Sequence, residues 1–218
     1  VFFKEIVDQF KTMIHPENVR DPKGLLNNYK FFIENGFNNA DFTIVRDDIW
    51  DKDAINNFDE ALGLLSDYVA ENWYKHKNIP APFALMFLQM SDYYMFGKRD
   101  FACFAGNSGI GVFANGKVYP CARFGSNMQD FWIYDYITNQ LNAEVFNYIK
   151  DDKIKNPQQY NKCIGCEIYN FCNAGCIYSQ VNNCNEPIDS ICELYKIIYK
   201  HSINLENKIR KIYGEQNE

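Results

Sequence analysis

Residues 163–176 read CIGCEIYNFCNAGC. Four thiols fall within this stretch, Cys163, Cys166, Cys172 and Cys176, in the pattern Cys-x2-Cys-x5-Cys-x3-Cys. Thiolates are soft ligands that select zinc, copper(I) or iron–sulfur clusters. Three explanations compete. Disulfides suit short secreted scaffolds that lack a core, whereas this chain has 218 residues, 47% of them apolar and 17% aromatic, enough for a packed core. Structural zinc takes four ligands in two pairs, usually roughly a dozen or more residues apart; here the second pair follows after five residues. A cubane iron–sulfur cluster takes four thiolates and tolerates irregular loop spacing. The weight falls on iron–sulfur, with disulfides and a pair of four-cysteine zinc sites as the other readings.

The remaining cysteines are Cys103, Cys121, Cys184 and Cys192, and the first 102 residues contain none. The chemistry is therefore concentrated in the second half. Upstream of the dense stretch, Val112 to Tyr119 reads as two short strands around Asn115-Gly116, a turn in which both residues tolerate positive φ. Cys103 precedes this hairpin and Cys121 follows it. Leu141 to Ile149 is expected to be a helix, and Cys163 to Cys184 to carry little regular structure. A last helix is expected from about Ser190 to Tyr213, with Cys192 in its first turn and a stripe of Ile191, Tyr195, Ile198, Leu205, Ile209 and Ile212 broken by Ser202.

The first half has an α/β rhythm. Phe10 to Ile14 is a strand end before His15-Pro16. Asp21-Pro22 opens a helix, with Asp as N-cap and Pro at the first helical position. Gly36 closes that helix. Phe42 to Val45 alternates as a strand. A longer helix from about Asp53 to Tyr74 carries the stripe Ile55, Phe58, Leu62, Leu65, Tyr68 and Val69. This succession fits one or two units of an α/β sheet or barrel.

With the rest of the cysteines in place, the pattern resembles the SPASM domain of radical-SAM enzymes. Cys103 is followed by twelve residues, Gly116, four residues and Cys121; the block from Cys163 to Cys176 comes next, and Cys192 is last. Cys103-Phe-Ala-Gly106, Asn115-Gly-Lys-Val-Tyr-Pro-Cys121 and Cys172-Asn-Ala-Gly-Cys176 are similar to the family in their flanking residues too. More weakly, Ile14-His-Pro-Glu-Asn18, Glu34-Asn-Gly-Phe37 and Asp48-Ile-Trp50 resemble late elements of the partial radical-SAM barrel. The fold expected from the resemblance is α+β. An incomplete α/β segment of a partial TIM-type barrel, residues 1–100, would be followed by a Cys-rich SPASM domain, residues 101–218, with a β-hairpin and a C-terminal helix.

The resemblance implies two auxiliary [4Fe-4S] clusters. Cys103, Cys121 and Cys176 would hold the first, and Cys163, Cys166, Cys172 and Cys192 the second. Cys184 lies outside the motif. It is either the first cluster's fourth ligand or a small buried core residue. The activity implied is that of a peptide- or protein-modifying maturase, forming thioether or related links, with an external electron donor or acceptor as a partner. Sulfatase-maturing members carry an Asp directly after the second motif cysteine, where this chain has Ala122, which argues against that substrate. Radical-SAM enzymes also hold a third cluster, which cleaves S-adenosylmethionine, with Cys-x3-Cys-x2-Cys; this sequence has no such triplet. A fragment of a full enzyme beginning at Val1 is expected, one that does not cleave S-adenosylmethionine by itself. A non-enzymatic electron-transfer module and a zinc-structured interaction domain are the alternatives.

Other features narrow the field. Net charge is −6 and the pI is near 5.2, with no basic stripe, so nucleic acid is not an expected partner. No run of eighteen apolar residues predicts a membrane span. No leader is visible, which goes with a cytoplasmic location. Phe101, Phe104, Phe124, Phe131, Trp132, Tyr134 and Tyr136 surround the first cysteines in sequence, as core or as shielding from water. Arg123 faces a cluster, an acidic substrate or a surface carboxylate. His15, His76 and His201 have no motif partner and are read as structural or exposed.

Overall fold

The structure is a computed structural model and describes residues 9–37, 39–97, 105–106, 109–150, 160–172, 176–183 and 187–214. Cys103, Cys184, Phe101 and Phe104 lie outside the described residues. The chain divides into two compact units, residues 1–95 with 189–218, and residues 96–188.

The first unit begins with a β–α–β turn of chain. Strand β1 (Gln9–Ile14) and strand β2 (Asn39–Ile44) pair in parallel, with Thr12 opposite Phe42 and Ile14 opposite Ile44. Parallel neighbours need a crossover, and helix α1 (Lys23–Glu34) supplies it. The helix starts one position later than expected, with Pro22 as its N-cap residue, and Asp21 just before it accepts from the Lys23 amide at 3.0 Å. Gly36, at φ +82°, ends it. Its amide bonds the Ile33 carbonyl while the Phe37 amide bonds that of Phe32, both at 3.0 Å. The rings of Phe32 and Phe37 meet edge-on at 6.0 Å across the turn. This is a Schellman closure with its hydrophobic contact.

Helix α2 (Lys52–His76) is capped by Asp51, whose side chain accepts from the Ala54 amide at 2.8 Å. Phe58, Leu62, Leu65 and Val69 are buried along it, as the stripe predicts. After α2 the chain returns to the sheet. Ala81 bridges Asp41 in parallel, and the Phe42 amide bonds the Ala81 carbonyl at 3.3 Å. The β–α repeat expected for a barrel segment therefore continues past β2. Helix α3 (Phe83–Phe96) follows, buried through Phe83 and Met86 but exposing Leu88 and Phe96.

The terminal helix forms over Asp189–Tyr213 and belongs to this first unit, although the sequence division at residue 100 grouped it with the second half. In chain order of the described helices it is α7. It runs beside α2 in the same direction. Asp59 meets Lys200 and His201, Asp67 meets Lys208, and the ring of Tyr213 stacks on Tyr74 at 6.2 Å. Its buried face is Ile191, Leu194, Ile198, His201, Ser202 and Leu205. Ser202 does not break the stripe: its hydroxyl is satisfied by the Ile198 carbonyl at 2.8 Å. Ile212, expected in the stripe, is 39% exposed.

The second unit holds a four-stranded antiparallel sheet in sequence order: β3 (Gly111–Val112), β4 (Lys117–Tyr119), β5 (Tyr134–Asp135) and β6 (Gln140–Leu141). Between β4 and β5 lies helix α4 (Ala122–Asn127). The helix expected from Leu141 begins only after β6, as α5 (Ala143–Lys150). The Asn-Gly turn forms, with one correction. Gly116 is at φ +84°, whereas Asn115 keeps an ordinary backbone. The Gly116 amide bonds the Phe113 carbonyl at 3.1 Å, and the Phe113 amide bonds that of Lys117 at 3.0 Å. Such a turn ends in one left-handed glycine at a bulge, rather than in two left-handed residues. Helix α6 (Ile177–Asn182) gives part of the Cys-rich segment regular structure that the sequence reading did not expect.

Candidate functional site

In the second unit the hairpin delivers Cys121 to the start of α4, where it is the N-cap residue. The approach is close. A Cβ on Gly111 would lie 3.0 Å from the Ala122 nitrogen and 3.1 Å from the Cys121 carbonyl carbon. Gly125 does the same one turn later, since a Cβ there would meet the Phe113 ring at 2.3 Å. These glycines let the hairpin lie directly against the helix that carries Cys121.

Cys176 is the N-cap residue of α6. Both cysteines are half-buried and pack on one apolar cluster of Ala105, Tyr119, Phe124, Ile149, Ile177 and Tyr178. Phe131 stacks on Phe124 at 5.1 Å, and Tyr178 meets Phe124 edge-on at 5.3 Å. Phe124, Phe131 and Trp132 are thus core around the two thiols, while Tyr136 is 49% exposed. The hairpin side and the α6 side of this unit are joined here, over 55 residues of sequence between Cys121 and Cys176.

Arg123 completes this corner. Its Nη1 donates to Cys176 Sγ at 2.8 Å and to the Ser179 hydroxyl at 3.4 Å. Its guanidinium lies over the Tyr178 ring, 4.6 Å from the centroid. Of the three roles weighed for Arg123, the structure places it against a cysteine. No local sequence signal links residues 53 apart.

Cys163, Cys166 and Cys172 sit on successive reversals of the backbone. The Cys166 amide bonds the Cys163 carbonyl at 3.2 Å, the Tyr169 amide bonds that of Cys166 at 3.0 Å, and the Cys172 amide bonds that of Ile168 at 2.7 Å. Gly165, at φ +76°, makes the first reversal. Ile168 and Phe171 are buried and anchor the segment. Cys192 occupies the first turn of α7, as expected, in the other unit. None of the six described cysteines is disulfide-bonded, and all are half-buried. Among the described residues, no three His, Cys, Asp or Glu side chains are gathered into a group able to hold a metal ion.

The first unit contributes a cavity of about 610 Å3. It opens beyond the C-terminal ends of β1 and β2 and is lined by His15, Glu17, Arg20, Asp48, Asp51 and Asn57, among others. His15 Nδ1 and Asp48 Oδ2 are 2.5 Å apart there, both partly exposed. His15 therefore has a partner the sequence did not reveal, brought together by the parallel pairing of the strands that precede the two residues. His201 also has one. Its Nε2 lies 2.5 Å from Asp59 Oδ1, and its side chain is nine-tenths buried.

No family model matches this sequence, and no curated protein matches it. Solved structures of the anaerobic sulfatase-maturating enzyme anSMEcpe, a radical-SAM enzyme, do match. The native enzyme with bound AdoMet and Cp18Cys peptide superposes with a TM-score of 0.60 at 19% identity, covering 93% of this chain and 57% of that one. The tagged enzyme with bound AdoMet gives 0.61 at 18% identity, over 92% of this chain and 54% of that one.

The likeness is one of fold.

The chain spans little more than half the length of these enzymes and shares the mixed helix-and-sheet architecture of that part. The β–α repeat of the first unit is the coarse feature that the sequence resemblance also anticipated. No described helix is long and apolar enough to cross a membrane.

Proposed function

We propose that this chain is a portion of a radical-SAM peptide-modifying maturase and that its second half binds two auxiliary [4Fe-4S] clusters. The observation that carries the reading is the complete cysteine spacing in a chain whose fold matches a radical-SAM enzyme. The donors suit the group in their chemistry, although among the described residues no three of them are gathered into one site. Six thiols are half-buried without disulfides, and one already accepts a hydrogen bond from a guanidinium. Cys103, Cys121 and Cys176 would hold the first cluster, with Cys184 as a candidate fourth ligand. Cys163, Cys166, Cys172 and Cys192 would hold the second. Bound there, such clusters supply one-electron chemistry tuned by charge, hydrogen bonds to sulfur and exposure.

The chain's own residues account for the rest. The Phe124, Phe131 and Tyr178 packing keeps water from the inner side of Cys121 and Cys176. The glycines at 111, 116 and 125 fix where the hairpin sets Cys121. In the first unit, the cavity beyond the strand ends lies where α/β folds bind their ligands. AdoMet and peptide are bound in the anSMEcpe structures, which supports a peptide as partner here. Ala122 in place of Asp supports a peptide other than a sulfatase.

The test is iron, sulfide and zinc content of the anaerobically purified full-length protein. This chain's share is expected to be about eight irons and eight sulfides, by comparison with a variant in which Cys121, Cys163, Cys166 and Cys176 are all serine. Zinc without sulfide at these cysteines would overturn the proposal.

A further inference from the structure

The corner formed by Arg123, Cys176, Tyr178 and Ser179 has a built character that a surface arginine lacks. Arg123 is half-buried and is the second residue of α4. Its guanidinium plane is held over Tyr178 at 4.6 Å, and Tyr178 is itself fixed edge-on against Phe124. With the plane fixed, Nη1 is aimed at Cys176 Sγ at 2.8 Å, and the Ser179 hydroxyl shares it at 3.4 Å. A long flexible side chain normally loses rotamer freedom to make such a contact; here stacking has already restricted it. The stem starts only two residues from Cys121, so one short helix carries a cysteine and a cation toward the cysteine that opens α6.

We infer that Arg123 is a positioning and tuning residue for the cluster that Cys121 and Cys176 would share, raising its reduction potential through the hydrogen bond to Cys176 Sγ. The inference rests on the auxiliary-cluster reading above. The physical argument has two parts. A thiolate bound to a metal keeps lone pairs that accept hydrogen bonds, and donation to them withdraws negative charge from sulfur. Taking up one electron from a low-potential donor makes the centre more negative by one charge. A fixed guanidinium at hydrogen-bond distance in a half-buried site favours that state over the oxidised one. Arginine is suited to this because it stays charged and presents a rigid fork.

The experiment is a potentiometric titration of the anaerobic full-length protein followed by electron paramagnetic resonance. It is run on the unsubstituted protein, Arg123→Gln, Arg123→Lys and Ser179→Ala. Arg123→Gln is expected to lower the midpoint of one auxiliary centre so that its reduced-to-oxidised ratio at a fixed potential falls at least tenfold, about 59 mV for one electron. The other centre should keep its midpoint. Arg123→Lys, which keeps the charge, should restore most of the shift, and Ser179→Ala should have a smaller effect than Arg123→Gln. Equal midpoints in the unsubstituted protein and Arg123→Gln would overturn the inference. If Arg123→Gln does not load, Arg123→Lys decides: a midpoint near the unsubstituted value supports the role, and one shifted tenfold or more refutes a role for charge. Absence of iron and sulfide at these cysteines in the unsubstituted protein would overturn the cluster reading itself, and this inference with it.

Discussion

Truncating Leu194 to alanine separates the helix face seen in the structure from the one read in sequence. Leu194 lies two residues past Cys192 on α7 and is fully buried, with no accessible surface. Ile212, on the expected stripe near the end of the same helix, is 39% exposed. A fully buried Leu→Ala change loses the transfer free energy of the side chain and leaves a cavity, together about 3–4 kcal/mol. Ile212→Ala removes side-chain surface that water already reaches in part and leaves no closed cavity, so its cost should stay below about 1 kcal/mol. For a unit of this size each kcal/mol moves the midpoint by roughly 4 °C. Thermal unfolding of the anaerobic protein, followed by far-ultraviolet circular dichroism, should therefore fall by about 12–16 °C for Leu194→Ala and by less than about 4 °C for Ile212→Ala. Equal losses, or a larger loss at Ile212, would refute the burial of α7 through Leu194 rather than Ile212.

Two further outcomes follow from side chains that pair across the same fold. Burial holds His201 below its usual 6.5 although Asp59 pulls it upward. Burial works to raise Asp59, but hydrogen bonds and charge from Lys200 and His201 outweigh it and hold the carboxyl below 3.8. The two shifts agree if Lys200 supplies most of the charge and His201 stays neutral, donating from Nε2. In both cases the unfolded chain binds the proton first as pH falls, so stability drops below about pH 6.5 and again below about pH 3.8. Guanidinium midpoints at pH 8, 6 and 5 should decrease in that order, and a flat or rising series would refute the reading that burial outweighs Asp59 and keeps His201 neutral. In the second unit, Gly116→Ala should cost about 2–4 kcal/mol, from a left-handed backbone and a Cβ placed against Ile137. Asn115→Ala, which loses only the bond from the Lys117 amide, should cost about 1 kcal/mol. Thermal midpoints of the two variants check this, and equal losses would sink it.

What the sequence made legible was whatever depends on neighbours along the chain. The end of α1 at Gly36 and the start of α2 at Asp51 follow from capping chemistry within a few residues. The buried side of α2 follows from period alone. The hairpin at Gly116 was legible as a turn, but its type was not, because one left-handed glycine and two left-handed residues share the same Asn-Gly text. Strands β5 and β6 have two residues each, too few to show alternation, and Leu141 was absorbed into the following helix. On α7, Ile191, Ile198 and Leu205 are buried as the stripe predicts, but the stripe was read as broken at Ser202, whereas His201 and Ser202 both belong to the buried face. Asp59 and the Ile198 carbonyl satisfy them, so they can be buried. The contacts that give the site its character, Arg123 with Cys176 and His15 with Asp48, join residues 53 and 33 apart. Only the folded chain brings such pairs together. The cysteines at 103 and 184 lie outside the described residues; the spacing pattern alone speaks for Cys103, and Cys184 lies outside that pattern.

The pairing of α2 with α7 also bears on how the chain acquires its structure. Asp59 waits for His201, which is 142 residues later in the chain. A ribosome emitting roughly 5–20 residues per second exposes the apolar stripe of α2 for about 7–28 seconds before its partner is made. During that interval Phe58, Leu62 and Leu65 have no α7 to cover them, and the whole cysteine-bearing unit is synthesised. Contacts of such long sequence separation close slowly. Nascent chains halted just before α7 should therefore bind chaperones more strongly than finished ones.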